Sequence, residues 1–239
     1  MQFEFQKGII FKKVIDSIKD LVKETNLSVS SDGLSLQAMD SAHVSLIEIN
    51  LLDSVRISCA KDTVIGINME NICKILRILD LDSFLTVDLI KNRLHFKSGV
   101  DERKTEFSVP LMDVEMDRHE IPEFTYPNKL QINSSEFNKI VGNMKELGSD
   151  LTIRLKGTTV DFWIDTDISG SLTLTDTRFV IEEEIEQLFS LKFLNMFCKA
   201  TPLSDAVILE MGSGFPLRLS FIISDADYVK FYLAPKVED

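Results

Sequence analysis

The sequence predicts an α+β protein built from two similar domains, and three observations carry that prediction. The segment FKKVIDSIKDLV (Phe11 to Val22) resembles FNKIVGNMKELG (Phe137 to Gly148) at an offset of 126 residues in a chain of 239. A second pair, ENICKILRIL (Glu70 to Leu79) and SLKFLNMFCKA (Ser190 to Ala200), lies at a similar remove. Repetition on this scale implies a duplicated domain with two short amphipathic helices per half. Around the helices run short segments rich in Val, Ile, Leu, Thr and Phe, separated by the turn signals SSDG, KGTT and GSG. Many strands with few helices point to antiparallel sheets covered on one face by helices.

The elements follow in chain order. MQFEFQKGII sets its apolar residues among Glu4, Gln6 and Lys7 and reads as a strand entering a helix, not as the basic-then-apolar order of a signal peptide. On a helix from Gly8 to Lys23, at about 100° per residue, Lys12, Lys13, Asp16, Lys19, Asp20 and Lys23 fall within an arc of roughly 120°. Ile10, Val14, Ile18 and Leu21 fall opposite, so one face lies on a sheet and the other is rich in lysine. Strands are expected at VSLIEINLL, TVIGINM, FLTVDLI, RLHFKS and TEFSVPL, with the second helix between TVIGINM and FLTVDLI. LMDVEMDRHEIPEFTYP separates the halves, giving a domain over 1–110, a connector over 111–127 and a domain over 128–239. The second half repeats the scheme with strands at LTIRL, TVDFWID, SLTLT, AVILEM, LRLSFII and VKFYLA.

Composition narrows the function. An apolar fraction of 44% with six prolines and ten glycines describes an ordered globular chain. No apolar run approaches the roughly 18 residues of a membrane span, so no membrane role is expected. Cys59, Cys73 and Cys198 are odd in number and far apart, which suits free thiols in a reducing compartment, cytosol or nucleus.

The formal net charge of −12 argues against nucleic acid on average. The distribution argues the other way. Residues 7–23, 69–79, 134–146 and 190–199 carry +3, +1, 0 and +2, so the helices hold +6 and the remainder −18. Any single surface helix shows charges. Four helices on one side of a duplicated sheet, none of them acidic, favour a local phosphate-facing surface. Their faces hold few aromatics, so stacking on single-stranded bases is not indicated, and lysine contacts to phosphate would position without reading sequence.

Catalytic patterns are absent: no P-loop, G-x-G-x-x-G, G-x-S-x-G, H-E-x-x-H or C-x-x-C occurs. His43, His95 and His119 are scattered without a cysteine at ligand spacing, so neither metal nor other cofactor is expected. Asp80/Asp82 and Asp165/Asp167 read as solvated strand-end carboxylates, and Glu182 to Glu184 as a solvated face or loop. An acid–base enzyme would need converging carboxylates, and no candidate set is visible.

LSLQAMDSAHVSL (Leu34 to Leu46), KATPLSD (Lys199 to Asp205) and the ending YLAPKVED (Tyr232 to Asp239) closely resemble the eukaryotic sliding-clamp family of proliferating cell nuclear antigen. LMDVEMDRHEIPE is similar to that family's interdomain connector, and the resemblance runs through the whole chain in order. It implies a non-enzymatic processivity factor in the nucleus, a homotrimeric ring of two-domain subunits. The sheets form its outer wall and two helices per domain line a hole for duplex DNA. DNA polymerases and other replication or repair proteins dock through short peptides, and an ATP-dependent loader opens the ring. A subunit of a heterotrimeric checkpoint-type clamp is the alternative, and the intact MDSAHVSL and LAPKVED stretches favour the replicative clamp.

By this resemblance the DNA-facing residues are Lys12, Lys13, Lys19, Lys74, Arg77, Lys139, Lys145, Lys192 and Lys199, with Gly142 where relatives usually carry arginine. Subunits join through Thr105 to Leu111 and Ser169 to Thr175, with Phe107 and Leu172 at the joint; Phe107 as an ordinary core aromatic stays open. Client peptides dock on Met39, His43, Val44, His119, Ile121, Pro216, Tyr232, Ala234 and Pro235. His119 stands where relatives usually place leucine and charges near pH 6, so weaker or altered client binding is expected.

Overall fold

The computed structural model describes residues 1–100, 103–115 and 124–237. His119 and Ile121 lie outside the described residues, as does the centre of the connector.

The first eleven elements are β1 (Gln2–Phe5), α1 (Gly8–Ile18), β2 (Glu24–Val29), β3 (Leu34–Met39), β4 (Ser45–Leu51), β5 (Val55–Ser58), β6 (Thr63–Asn68), α2 (Met69–Ile78), β7 (Leu85–Ile90), β8 (Arg93–Val100) and β9 (Arg103–Pro110). Eleven more repeat that order: β10 (Asn128–Asn133), α3 (Ser134–Lys145), β11 (Asp150–Lys156), β12 (Thr159–Asp165), β13 (Ser169–Thr175), β14 (Val180–Ile181), β15 (Ile185–Ser190), α4 (Leu191–Phe197), β16 (Ala206–Met211), β17 (Leu217–Ile222) and β18 (Tyr228–Leu233).

Pairing repeats as well. β1 lies between β5 and β7 as β10 lies between β14 and β16, and β2 lies between β3 and β6 as β11 lies between β12 and β15. All these pairs are antiparallel. The α+β class with two similar domains is therefore the architecture observed. Contacts divide the chain into two compact units: of the described residues, one holds 1–41, 47–115 and 222–229, the other 42–46, 124–221 and 230–237.

Each unit buries its own core. In the first, Phe3, Phe5, Phe11 and Phe96 are buried, and Phe5 stacks on Phe11 at 4.8 Å. In the second, Val160, Phe162 and Ile164 of β12 point inward and alternate with Asp161, Trp163 and Asp165 outside. Phe197 stacks on Phe231 at 4.6 Å.

The helix starts are satisfied reciprocally. The Gly8 N–H of α1 donates to the Ser83 carbonyl beyond α2, and the Met69 N–H of α2 donates to the Lys23 carbonyl beyond α1, at 3.1 and 2.9 Å. In the second unit the Ser134 N–H of α3 reaches Asp205 O and the Leu191 N–H of α4 reaches Ser149 O, both at 2.9 Å. Each helix thus spends an orphan donor on the turn that follows its partner.

Two helices are shorter than the sequence pattern predicts. α1 ends at Ile18 with Lys19 as its cap, because the Leu21 and Val22 N–H groups both turn back to the Ile18 carbonyl, at 2.9 and 3.2 Å, and close the helix in a tight turn. α4 ends at Phe197 and continues as a 3₁₀ turn over Cys198–Leu203, where Pro202 has no N–H for an α-ladder. Lys199 therefore sits on the 3₁₀ turn.

Two buried polar side chains latch loops. In the first unit the Asp227 carboxylate accepts from the Leu52, Asp53 and Ser54 N–H groups at 2.6, 2.7 and 2.9 Å. Asp53 returns the favour, accepting from Ser224 Oγ and the Ala226 N–H. In the second unit the Asn128 side-chain oxygen accepts from the Glu182 and Glu183 N–H groups while its Nδ2 donates to Glu183 O. This holds residues 182–184 as the loop the sequence predicts. No helix among the described residues is long and apolar enough to cross a membrane.

Candidate DNA-facing and docking surfaces

The lysines of α1 share one carboxylate. Asp16 pairs with Lys12 one turn before it and with Lys19 at 2.8 Å one turn after. Burial pushes the Asp16 carboxyl up, and the two ammonium groups more than offset this and hold it below its ordinary value. On α2, Lys74 pairs with Glu70 at 2.6 Å along the exposed face, and Arg77 stands in the last turn, where it complements the helix dipole.

Lys19, Lys23, Lys74 and Arg77 line a single cleft between the end of α1 and α2, interspersed with Asp20, Glu24 and Glu70, so cations exceed carboxylates there by one. Three of these cations were assigned to DNA from the sequence. Lys23, on the predicted basic arc but outside that set, also lines the cleft, from the turn beyond the end of α1. On α3, Lys139 and Lys145 are exposed on either side of Gly142, around which no atom lies where a Cβ would stand. Lys192 of α4 lies over the Phe193 ring at 5.7 Å. Lys13 and Lys199 also have interaction partners.

Two outermost strands carry the residues expected at subunit joints. β9 ends the five-stranded sheet and β13 ends the four-stranded sheet. Phe107 is 37% exposed, and its cross-strand partner is the buried Phe96. Leu172 is half-buried opposite the buried Phe162. Both therefore stand on the core side of an edge strand, half in the core and half exposed.

The docking residues of the second unit lie on three segments, 43–44, 216 and 232–235. His43 has a left-handed backbone, φ 57°, beside Val44, whose carbonyl accepts the Ala234 N–H at 3.0 Å. Val44 and Ala234 are exposed, Pro216 and Pro235 half-buried, and Tyr232 buried. Met39, half-buried at the end of β3, belongs to the first unit.

Beside Pro216 stands an aromatic group that the sequence reading missed. Phe124 and Phe215 meet at 5.1 Å, and Tyr126 packs on both. The Tyr126 hydroxyl donates to the Pro216 carbonyl at 2.9 Å, and burial pushes its phenol up to about 12, so it stays protonated. Arg218 lies over the Tyr126 ring at 4.5 Å and bonds Glu210 through two nitrogens at 2.6 and 2.8 Å. The only sequence signal was the aromatic pair in EFTYP together with GFP, each next to a proline.

Among the described residues no group of His, Cys, Asp or Glu is arranged to hold a metal ion. The Asp165 carboxylate accepts from Ser169 Oγ at a strand end, as expected, whereas Asp80 and Asp82 lie in the loop between α2 and β7, not at a strand end, and the Asp80 carboxylate accepts from the Asp82 N–H. The profile of the proliferating cell nuclear antigen N-terminal domain matches residues 1–120, and that of its C-terminal domain matches residues 120–236.

The chain belongs to the proliferating cell nuclear antigen family. It is 30% identical over 251 aligned positions to proliferating cell nuclear antigen 2 of Drosophila melanogaster, spanning all of this chain and 98% of that relative. Proliferating cell nuclear antigens are sliding clamps of DNA replication and repair and have no enzymatic activity, which agrees with the sequence reading.

Proposed function

We propose that this chain is a replicative sliding clamp whose three copies close a ring around duplex DNA in the nucleus. The domains run over 1–110 and 128–239, joined by the connector 111–127. The observation that carries the reading is the cleft of Lys19, Lys23, Lys74 and Arg77 in a chain of net charge −12. Cations gathered on helices inside an acidic protein suit a bore that holds phosphates loosely while the outer wall repels them. Lys12, Lys13, Lys139, Lys145, Lys192 and Lys199 complete that bore. A ring held by topology needs only weak, salt-sensitive contacts.

Subunits join by pairing β9 of one copy with β13 of the next, with Phe107 and Leu172 across the joint, which removes two exposed edges at once. DNA polymerases and other clients dock a short peptide against Met39, His43, Val44, His119, Ile121, Pro216, Tyr232, Ala234 and Pro235. An ATP-dependent loader opens the ring.

Native mass tests the assembly: three chains of 27.1 kDa per particle are expected, and a persistent monomer would favour the heterotrimeric checkpoint-type subunit. Ring closure is tested with loader and ATP on nicked circular DNA. The clamp should stay on the circle and leave when the circle is cut. For docking, client-peptide titrations of wild type and His119→Leu at pH 6 and pH 8 should differ. Equal affinities at both would remove the assigned role of His119.

A further inference from the structure

Glycine is uncommon inside a strand, and the one in TVIGINM has a visible reason. Gly66 of β6 stands directly opposite Asn26 of β2, and β6 is the outermost strand of its sheet. The start of the connector crosses it so closely that a Cβ on Gly66 would lie 2.2 Å from the Met112 carbonyl oxygen. The Met112 N–H donates to the Gly66 carbonyl at 3.0 Å, an isolated antiparallel bridge. Two residues on, the Val114 carbonyl accepts from Asn26 Nδ2 at 2.8 Å, and Asn26 is only 6% exposed. Before both, the Leu111 N–H donates to the Asn92 carbonyl at 3.1 Å. One cross-strand pair therefore grips residues 112 and 114 together, and does so through main-chain atoms of the connector that no substitution within it alters except proline.

We infer that Asn26 and Gly66 are positioning residues for client docking, setting the register at which the connector leaves the first domain. The inference rests on the docking role proposed above. It gives that role two determinants far from the connector in sequence. Each residue acts through the connector backbone and needs no contact with the client. With the grip intact, residues 111–115 are ordered before a peptide arrives. With it broken, their ordering falls on the binding step and weakens it. Loss of either hydrogen bond should weaken peptide binding about fivefold, and loss of both about thirtyfold.

The test uses the full chain and a synthetic peptide bearing one aliphatic and two aromatic residues on a single helical turn. Three variants break the grip from different sides. Asn26→Asp keeps the shape and loses the donor, Gly66→Ala displaces Met112, and Met112→Pro removes the N–H while leaving β2 and β6 untouched. Weaker peptide binding in all three, with native mass and salt-dependent DNA retention unchanged and the Met112 amide exchanging faster in the two variants that keep it, is the expected result. If Asn26→Asp or Gly66→Ala melts early, Met112→Pro decides. If wild type binds the peptide and Met112→Pro binds it equally, the inference is overturned and the docking role stands. If wild type itself fails to bind, the docking role falls and takes the inference with it.

Discussion

The first and second halves of this chain repeat the same element order and strand pairing, yet they use their surfaces differently. Cations are concentrated in the first, where Lys19, Lys23, Lys74 and Arg77 share a cleft. The corresponding helix α3 offers Lys139 and Lys145 around an open Gly142. The buried latches are not duplicated positions: Asp227, just before β18, gathers three N–H groups in the first unit, and Asn128, which opens β10, gathers two in the second. Duplication has preserved what the core requires and released what only the surface requires. A buried position must keep its volume and its hydrogen bonds, whereas an exposed helical position tolerates almost any polar residue.

The largest expected effect contrasts the two latches. Asp227→Ala leaves three part-buried N–H groups without their acceptor and should destabilise the protein by about 3 kcal/mol, against about 2 kcal/mol for Asn128→Ala. Denaturant unfolding of the two variants reads this directly, and equal losses would mean that the charge on Asp227 adds nothing.

Next comes the charge contrast. Lys74→Glu with Arg77→Glu should flatten the salt dependence of DNA retention by about two in slope, and Lys139→Glu with Lys145→Glu by less. Equal effects would show that the cleft has no special share.

A smaller effect should make the halves more alike. Gly142→Arg fits without obstruction, replaces a poor helix former for a gain of about 1 kcal/mol, and adds a cation to the weaker face. Higher melting temperature together with slower salt-induced loss from DNA is the expected pair of outcomes.

The smallest concerns Asp16. Its carboxyl is held below its ordinary value in the folded chain, so its contribution is present above about pH 4 and is lost as pH falls through the depressed value. With its side chain 28% exposed, screening keeps this below about 1 kcal/mol. Melting curves of wild type and Asp16→Asn from pH 6 downward should converge.

Strands with strong alternation, such as TVDFWID and AVILEM, were legible because burying one face forces a period of two. β2, β3, β5, β10, β14 and β15 were not recognised. ETNLSV and IEQLFS carry polar residues on both sides, and VRIS and VI are too short to show a period. The helix ends differ from the pattern where local hydrogen bonding changes, at the tight turn closed on the Ile18 carbonyl and at Pro202, which has no N–H to give. Among site residues, the basic helices were visible as charge on an amphipathic pattern. The convergence of α1 and α2 on one cleft, and of Tyr126, Phe215 and Arg218 behind Pro216, was not.

By itself, then, the sequence determined the α+β class, the duplication, the basic helices in an acidic chain and membership of a family of clamps. Each of these is a local or periodic property, recorded wherever a residue stands relative to its near neighbours. Only the tertiary structure decided that Asp227 holds the 52–54 turn, that Gly66 and Asn26 hold the connector, and that Lys23 joins the cation cleft. These depend on residues up to 175 positions apart meeting within hydrogen-bond reach, and no pattern along the chain encodes a distance of that kind.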